Sequence, residues 1–219
     1  MRRFLFQKVG DGVWISHLDL MRLFQRAFRR GGMMLKHTQG FNPHAIVSIA
    51  LPLSVGVESS CEILDFELIG EDVSNEDAVR RINETLPKGV RVLECYDSDR
   101  KMKELTHLHS QVVLEYDGGI PVGAEEAIAD LFARESLTIE KKSKNGMTEV
   151  ELIPMIQSLE VRREDDHTLV LDTVHCAQNP SLNQAQLAAA VGKYLPEFAP
   201  DFSKNRRLEV LDSNGDVFR

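Results

Sequence analysis

Four arginines on one predicted helix are the residues of this sequence best suited to bind an anion. Arg22, Arg26, Arg29 and Arg30 follow the spacing i, i+4, i+7 and i+8, which places them on one helix face. No acidic residue stands four positions before or after any of them. Because guanidinium groups bind phosphate oxygens through paired hydrogen bonds, the pattern predicts a face that binds RNA or another polyanion. Pairing of these arginines with acids elsewhere in the chain is the alternative.

A histidine stands at the start of the same helix. Ser16 and Asp19 form a capping-box pattern that predicts where the helix begins, and Gly31-Gly32 predicts its end. His17 would then lie among the unpaired N–H groups at the positive end of the helix dipole, where an anion can bind. With phosphate bound there, His17 is a candidate general acid or base acting on a ribose hydroxyl. The alternative is a histidine that only hydrogen-bonds a neighbouring backbone group.

The loop over residues 38–44 carries the side chains that suit an exposed nucleobase. Gln39, Phe41, Asn42 and His44 supply amide, aromatic and imidazole groups, which can stack on a base and hydrogen-bond its edge. We therefore predict that this loop contacts RNA. Ordinary structural turns have a similar composition, and that is the alternative interpretation.

The remaining histidines and cysteines do not predict a metal site. His107 and His109 form an H-x-H pair and His175-Cys176 is a second possible pair of ligands, but nothing in the sequence places the pairs together. We predict no metal. The sequence also lacks a Walker loop, a G-x-G-x-x-G and a C-x-x-x-C-x-x-C, so we predict that it holds no cofactor of its own.

Composition indicates a soluble globular protein. Of the 219 residues, 42% are hydrophobic and 27% are charged, which is sufficient for a core without metals or disulfides. The longest nearly apolar stretch, residues 47–57, is interrupted by polar residues and is shorter than the roughly 20 residues of a membrane-spanning helix. The N-terminus has no secretory pattern, and the three cysteines are far apart. We therefore predict a cytoplasmic protein that does not contact membranes.

The charge of the chain is unevenly distributed. The formal net charge is −8, but residues 1–50 carry eight lysines and arginines against two aspartates, a local balance of +6. The other 169 residues therefore sum to −14. A basic region in an acidic chain supports polyanion binding by the first helix. The acidic tracts at 125–126 and 164–166 are predicted to be solvated, with docking of a basic partner protein as the alternative.

The order of predicted elements repeats along the chain. In the first half, strands are predicted over residues 2–9, 33–38, 45–51, 62–69 and 90–96, with helices between Ser16 and Gly31 and over 74–86. In the second half, strands are predicted over 110–116, 137–142, 148–153, 159–163, 169–174 and 206–211, with helices over 124–135 and 182–195. Lys144-Asn145-Gly146 predicts the turn between the second and third of these strands.

Apart from the short strand over 33–38, each half therefore has the order β-α-β-β-α-β, with one extra strand pair in the second. We predict an α+β protein of two tandem ferredoxin-like units, each an antiparallel sheet with helices packed on one face. The predicted units are residues 1–97 and 105–219. The polar stretch 97–104 is the predicted linker, because the apolar periodicity lapses there.

Three motifs occur in order in the first half. They are Ile15-Ser16-His17-Leu18-Asp19-Leu20-Met21-Arg22, Gln39-Gly40-Phe41-Asn42-Pro43-His44 and Leu51-Pro52-Leu53-Ser54-Val55-Gly56-Val57-Glu58-Ser59. Together they resemble the bacterial family of radical-SAM-associated proteins of uncharacterised function, over roughly residues 2–96. The resemblance implies association with a radical-SAM enzyme and implies no particular reaction.

A looser likeness concerns the CRISPR repeat-processing endoribonucleases. Their tandem ferredoxin-like order, with a histidine at the start of the first helix that assists metal-free RNA cleavage, is similar to the order predicted here. Those nucleases also carry a glycine-rich loop near the C-terminus, and this chain offers only Ser213-Asn214-Gly215 in that region.

These observations predict a non-catalytic RNA-binding accessory protein that presents tRNA or ribosomal RNA to a radical-SAM enzyme. Two alternatives stay open. One is a metal-independent endoribonuclease with His17 as general acid or base and Arg22 or Arg26 stabilising phosphate charge. The other is a protein-interaction module for the radical-SAM enzyme that binds no RNA.

Overall fold

Two units make up the residues that the computed structural model describes, which are 1–70, 73–143 and 146–219. The first unit comprises Met1–Glu104 with Arg219, and the second comprises Leu105–Phe218. The elements of the first unit are β1 (Arg2–Lys8), α1 (His17–Arg30), β2 (Val47–Ile49), β3 (Val57–Phe66), α2 (Asn75–Asn83) and β4 (Val90–Asp97). Those of the second unit are β5 (His107–Glu115), α3 (Ala124–Phe132), β6 (Thr138–Ser143), β7 (Gly146–Glu151), β8 (Ile156–Arg163), β9 (Thr168–Cys176), α4 (Ala185–Tyr194) and β10 (Phe202–Leu211). Within these ranges, no helix is both long and apolar enough to cross a membrane.

The sheet of the first unit has the strand order β4-β1-β3-β2, and every neighbouring pair is antiparallel. Helix α1 lies in the chain between β1 and β2, and α2 lies between β3 and β4. This is the ferredoxin-like arrangement. The stretch over residues 97–104, which the sequence predicts to be a linker, belongs to this unit: Asp97 is the last residue of β4, and Met102–Glu104 form a short 3₁₀ helix.

An aromatic cluster fixes α1 on this sheet. Phe4 and Phe6 point to the same side of β1, because side chains alternate along a strand, and both rings are fully buried. Phe6 meets Phe24 of α1 edge to face with ring centroids 4.8 Å apart, and Phe28 lies 5.6 Å from Phe4. Phe66 of β3 lies 4.4 Å from Phe4 and 4.9 Å from Phe28. Since each such pair adds about 0.5–1.5 kcal/mol beyond its buried area, the last turns of α1 are held firmly on the sheet.

A buried ion pair lies on the other face of the same sheet. Arg3 of β1 and Asp65 of β3 stand opposite each other in the strand register, and their exposed fractions are 1% and 7%. Arg3 Nε donates to Asp65 Oδ1 at 2.7 Å, and Nη2 donates to Oδ2 at 3.2 Å. Arg3 also donates to the Ser98 hydroxyl at 3.0 Å and to the Arg100 carbonyl at 2.9 Å. The pair therefore has the geometry that a buried charge requires.

Helix α1 begins and ends where the sequence predicts. Ser16 is the N-cap residue: its Oγ accepts a hydrogen bond from the Asp19 N–H at 3.2 Å, and its hydroxyl donates to the Asp19 carboxylate at 2.7 Å. At the other end, the Gly31 N–H donates to the Ala27 carbonyl at 2.9 Å. Both predicted ends of the helix are confirmed.

The second unit repeats the arrangement with an insertion. Its sheet has the order β10-β5-β9-β8, again antiparallel throughout. Ile128 of α3 and Leu187 of α4 are fully buried in one cluster with the inward residues of β5 and β9. Strands β6 and β7 form a hairpin between α3 and β8 and are the extra strand pair that the sequence predicts. Lys144 and Asn145 of the predicted turn lie outside the described residues. The predicted α+β fold class, with helices on one face of each antiparallel sheet, is confirmed.

The segment leading into β2 differs from the prediction. The strand expected over 33–38 is replaced by two isolated bridges, Leu35 with Leu68 and His37 with Ala45. Because the segment pairs with Leu68 at one position and with Ala45 two residues later, it forms no continuous ladder of hydrogen bonds with either partner. Strand β2 is also shorter than the predicted range of 45–51.

Candidate nucleic-acid interface

Three arginines of the predicted stripe are exposed on α1. Arg26, Arg29 and Arg30 are exposed to solvent, whereas Phe24 and Phe28 on the opposite side of the helix are fully buried. None of the three forms an ion pair with any residue that the structure describes. All three therefore present positive charge to the solvent, and Arg26 also attracts the Asp19 carboxylate, whose pKa it helps to lower.

Arg22, unlike Arg26, Arg29 and Arg30, forms an ion pair. Its Nη1 lies 3.1 Å from Asp19 Oδ1, so the expectation that all four arginines are without an acidic neighbour is wrong at this position. Residues three apart on a helix are neighbours as well as residues four apart, and Asp19 stands three positions before Arg22. The Ser16 hydroxyl and the Arg22 guanidinium lower the pKa of Asp19, which keeps this carboxylate charged at neutral pH. With side chains 66% and 62% exposed, the pair is a weak surface contact.

The arginines of α2, in the same unit, are neutralised. Arg80 donates to Asp77 and also to Glu84 at 2.9 Å, and Arg81 Nε donates to Asp77 at 2.7 Å. These contacts span three or four residues along the helix, the spacing that brings side chains together. The first unit thus contains helical arginines of both kinds, and those at the end of α1 are the unneutralised ones.

A cavity of about 820 Å³ opens beside the C-terminal half of α1. Its lining comprises Gln25, Phe28, Arg29, Gly32, Met33, Met34, Leu35, His37, Pro43, His44 and Ala45. Phe28 and Met33 are buried and form an apolar floor, whereas Arg29, His37 and His44 are exposed. The volume lies within the range of about 300–1,000 Å³ that is typical of small-molecule sites. The structure thereby brings Arg29 of the helix and His44 of the loop to one cavity.

Two hydrogen bonds between Thr38 and His44 join the ends of the loop over residues 38–44. The Thr38 N–H donates to the His44 carbonyl at 2.9 Å, and the His44 N–H donates to Thr38 Oγ1 at 3.2 Å. Between them, Gln39, Phe41 and Asn42 are exposed, and the Phe41 side chain is fully so, at 112%. A wholly exposed aromatic ring next to amide groups can stack on a base.

His17 lies away from this cavity. Twelve residues separate it from Arg29 on the same helix. At 1.5 Å per residue this separation is about 18 Å along the helix axis. His17 is half-buried, and its Nδ1 is buried without a hydrogen-bond partner among the described residues. The structure therefore places His17 and His44 at opposite ends of α1.

The other candidate ligands make hydrogen bonds within the second unit. His109 Nε2 lies 2.6 Å from Asp172 Oδ1. His175 is fully buried: its Nδ1 donates to the Cys176 carbonyl at 3.2 Å, and its Nε2 lies 3.1 Å from Ser110 Oγ. Across residues 1–70, 73–143 and 146–219, no three His, Cys, Asp or Glu side chains are grouped so that they could hold a metal ion.

The buried His175 predicts a loss of stability in mild acid. Burial lowers its pKa to about 4, whereas a histidine in an unfolded chain has a pKa of about 6.5. Between these values the unfolded chain binds more protons, so the free energy of unfolding falls as the pH falls. Between about pH 7.5 and about pH 5 the loss is roughly 2 kcal/mol. Urea unfolding at both pH values should show this loss in the native chain and not in His175→Gln; equal losses in both would contradict the assignment.

Several residues of the cavity were not identified from the sequence. Gln25 stands one helical turn before the last arginines, and the spacing of four residues could have indicated it. Met34 and His37 depend instead on long-range pairing, such as the bond from the Lys36 N–H to the Glu67 carbonyl at 2.8 Å. No local pattern signals a contact of that kind.

The fold and this surface define an α+β protein with a basic helix face beside an open cavity. The fold is similar to that of a chain in the crystal structure of a Cbf5-Nop10-Gar1 complex, with a TM-score of 0.52 and 9% sequence identity. That likeness covers 95% of this chain and 48% of the other, so the chain spans about half the length of its structural relative. An unknown protein from Galdieria sulphuraria matches over 93% of this chain and 96% of its own, with a TM-score of 0.25 and 10% identity. Among proteins with curated descriptions, none matches.

The chain belongs to DUF2344, a family of uncharacterised proteins conserved in bacteria, which it matches over residues 2–184. The match includes the whole of α1, the loop over residues 38–44 and most of the second unit. The prediction that the chain belongs to a bacterial family of uncharacterised function is confirmed. The association with a radical-SAM enzyme stays a prediction.

Proposed function

We propose that this protein binds RNA, with tRNA or ribosomal RNA as its natural partner, as an accessory to a radical-SAM enzyme. The observation that carries the RNA-binding part is the exposed positive charge of Arg26, Arg29 and Arg30 on α1, none of which forms an ion pair with a described residue. Arginine forks match phosphate oxygens, and the adjacent cavity and loop offer apolar, imidazole and amide groups to a base. The radical-SAM part rests on the three sequence motifs of the first half.

Stabilisation of the helix itself does not account for these arginines. Cations near the end of a helix interact favourably with the negative end of its dipole, and Arg29 and Arg30 stand in the last turn of α1. Arg26 lies one turn earlier, where this effect fades. Moreover, Arg80 and Arg81 in the last turn of α2 have carboxylate partners. Among the described residues, Arg26, Arg29 and Arg30 have no such partners, which favours an external anion.

The acidic character of the whole chain does not prevent local binding of RNA. The formal net charge is −8, but the Debye length is about 8 Å at physiological ionic strength, so exposed acids farther than this from the arginines are largely screened. A phosphate next to α1 therefore responds mainly to the charges around it.

A salt series with a fluorescent single-stranded RNA tests the proposal. If Arg26, Arg29 and Arg30 each neutralise one phosphate, log affinity should fall with log salt at a slope of about −2. If Arg22 also leaves Asp19 and binds a fourth phosphate, the slope should be about −3. Binding that does not respond to salt, or no binding, would contradict the proposal. Sequencing the RNA that co-purifies with the protein from cells would identify the natural partner.

The two alternative functions predict different results in the same preparations. For a metal-independent endoribonuclease, RNA should be cleaved in the presence of chelator to a product with a cyclic phosphate end, and His17→Ala should abolish cleavage. The unpaired Nδ1 of His17 favours this alternative, whereas Arg22, one of its two candidate phosphate-binding residues, is paired with Asp19. For a protein-interaction module, the radical-SAM enzyme should co-purify without RNA.

A further inference from the structure

We propose that the cavity beside α1 takes one unpaired nucleobase of the bound RNA, while Arg29 holds a phosphate of the same strand. This inference rests on the proposed function and adds a preference for single-stranded over duplex RNA. Four features of the cavity support it: its fixed walls, its apolar floor, the two imidazoles that line it and the exposed Phe41 nearby.

The walls of the cavity are fixed by backbone hydrogen bonds. The Met33 N–H donates to the Phe28 carbonyl at 2.9 Å, which joins the segment after α1 to the helix itself. The Ile69 N–H donates to the Met34 carbonyl at 2.9 Å, which ties the segment to the chain that follows β3. The Ile46 N–H donates to the Lys36 carbonyl at 2.7 Å on its other side. The cavity is therefore a preformed feature of the first unit.

The floor suits a flat ring better than a phosphate. Phe28, Met33 and Leu35 are buried and apolar, so a phosphate placed there would lose its hydration without gaining hydrogen bonds. A base ring would instead gain dispersion contacts. Met34 is 67% exposed at the cavity, and methionine adapts its shape to aromatic rings. Arg29 lines the same cavity, so a base and a phosphate of one strand can be bound together.

The two imidazoles offer hydrogen-bonding groups to the edge of a base. His37 Nδ1 lies 3.0 Å from the Leu35 carbonyl, which can only accept, so Nδ1 carries the hydrogen and Nε2 is an acceptor. Thr38 Oγ1 lies 3.1 Å from His44 Nδ1 and can donate to it or accept from it, because a hydroxyl has one hydrogen and two lone pairs. His44 Nε2 can therefore accept from a base edge or donate to it. The Asn42 carbonyl, 3.4 Å from His44 Nδ1, is beyond the usual N–H···O distance. Neither Nε2 has a hydrogen-bond partner among the described residues, and a base edge presents both a donor and an acceptor.

This arrangement requires an unpaired base. In a duplex the base is stacked and its Watson–Crick edge is occupied, so insertion would require base flipping at a cost of a few kcal/mol. Single-stranded loops and ends present bases that are already free. The fully exposed ring of Phe41, at the tip of the neighbouring loop, is available to stack on an adjacent base. The protein should therefore bind single strands more tightly than duplexes.

The experiment compares a short RNA carrying one 2-aminopurine with the same strand annealed to its complement. The native protein should bind the single strand at least about tenfold more tightly, and the fluorescence of 2-aminopurine should change on binding. His37→Ala with His44→Ala should lower this affinity about tenfold without changing the salt slope, because no phosphate contact is lost. His107→Ala with His167→Ala in the second unit is the matched control and should bind as the native protein does.

The outcomes separate the inference from the proposed function. Salt-dependent binding that is equal for single strand and duplex, and unaffected by the loss of His37 and His44, would overturn the base site and leave RNA binding standing. No binding of either RNA would overturn both. Both histidines are exposed, so their replacement should leave the fold intact, and thermal unfolding of the variant would verify this.

Discussion

Replacement of Arg26, Arg29 and Arg30 by glutamine is expected to lower the affinity for single-stranded RNA about 100-fold at about 0.1 M salt. Each neutralised phosphate contributes a slope of about −0.7 in log affinity against log salt, so three contacts supply about two log units between 0.1 M and 1 M. The slope itself should decrease in magnitude by about 2. Glutamine has a helix propensity close to that of arginine, and α1 is held by the aromatic contacts of Phe24 and Phe28, so the helix should remain folded.

The matched control removes three positive charges from the same unit at other positions. Arg80→Gln, Lys88→Gln and Arg91→Gln together change the formal charge by the same amount, and all three side chains are exposed. Because Arg80 is already paired with Asp77 and Glu84, we expect that its replacement removes no phosphate contact. The control should retain affinity within a few-fold of the native protein. Equal losses in the two triple variants would mean that net charge governs binding, and the assignment to α1 would be wrong.

The basic face of α1 could be predicted from the sequence because it depends on local geometry alone. A helix that begins after Ser16 and ends before Gly31 fixes which side chains share a face, and the pattern of buried residues follows from the same period. The pairing of Arg22 with Asp19 is equally local, because a spacing of three residues also brings side chains together on a helix. The order of the elements likewise sufficed to predict two ferredoxin-like units, since α1 and α2 each separate two strands that do not pair with each other.

The cavity could not be predicted in the same way. His37 and His44 line it because the segment between α1 and β2 pairs in turn with Leu68 and with Ala45. Both pairings are isolated bridges, so the segment is not a strand. It therefore lacks the alternation of apolar and polar residues by which a strand is predicted from sequence. The predicted loop residues Gln39, Phe41 and Asn42 are exposed at its tip, yet only the structure places His44 next to the last arginines of α1.

Asp65→Ala is expected to lower the free energy of unfolding of the first unit by about 3–5 kcal/mol. The guanidinium of Arg3, 1% exposed, would lose the carboxylate that accepts two of its hydrogen bonds and keep acceptors such as the Ser98 hydroxyl and the Arg100 carbonyl. Removal of the carboxylate from a buried ion pair is costly because the remaining charge has already lost its hydration. Trp14 is the single tryptophan of the chain and lies in the first unit, so its fluorescence during urea unfolding reports on this unit.

A double variant separates the unpaired charge from the loss of packing. Arg3→Met with Asp65→Leu replaces the ion pair by apolar side chains of similar volume, and such exchanges are often neutral or stabilising. Recovery of most of the lost stability would assign the effect of Asp65→Ala to the buried charge. A double variant as unstable as the single one would assign it to packing instead, and a loss of less than about 1 kcal/mol in Asp65→Ala would contradict the buried pair itself.

The same variant connects the sheet to the RNA-binding face. Arg3 and Asp65 join β1 to β3, the two strands whose Phe4 and Phe66 contact Phe28 of α1. Asp65→Ala should therefore weaken RNA binding only in proportion to the unfolded fraction, because every arginine of α1 remains. Its salt slope should equal that of the native protein, whereas the slope of the triple arginine variant should be smaller by about 2. This difference would separate a loss of binding caused by unfolding from one caused by lost phosphate contacts.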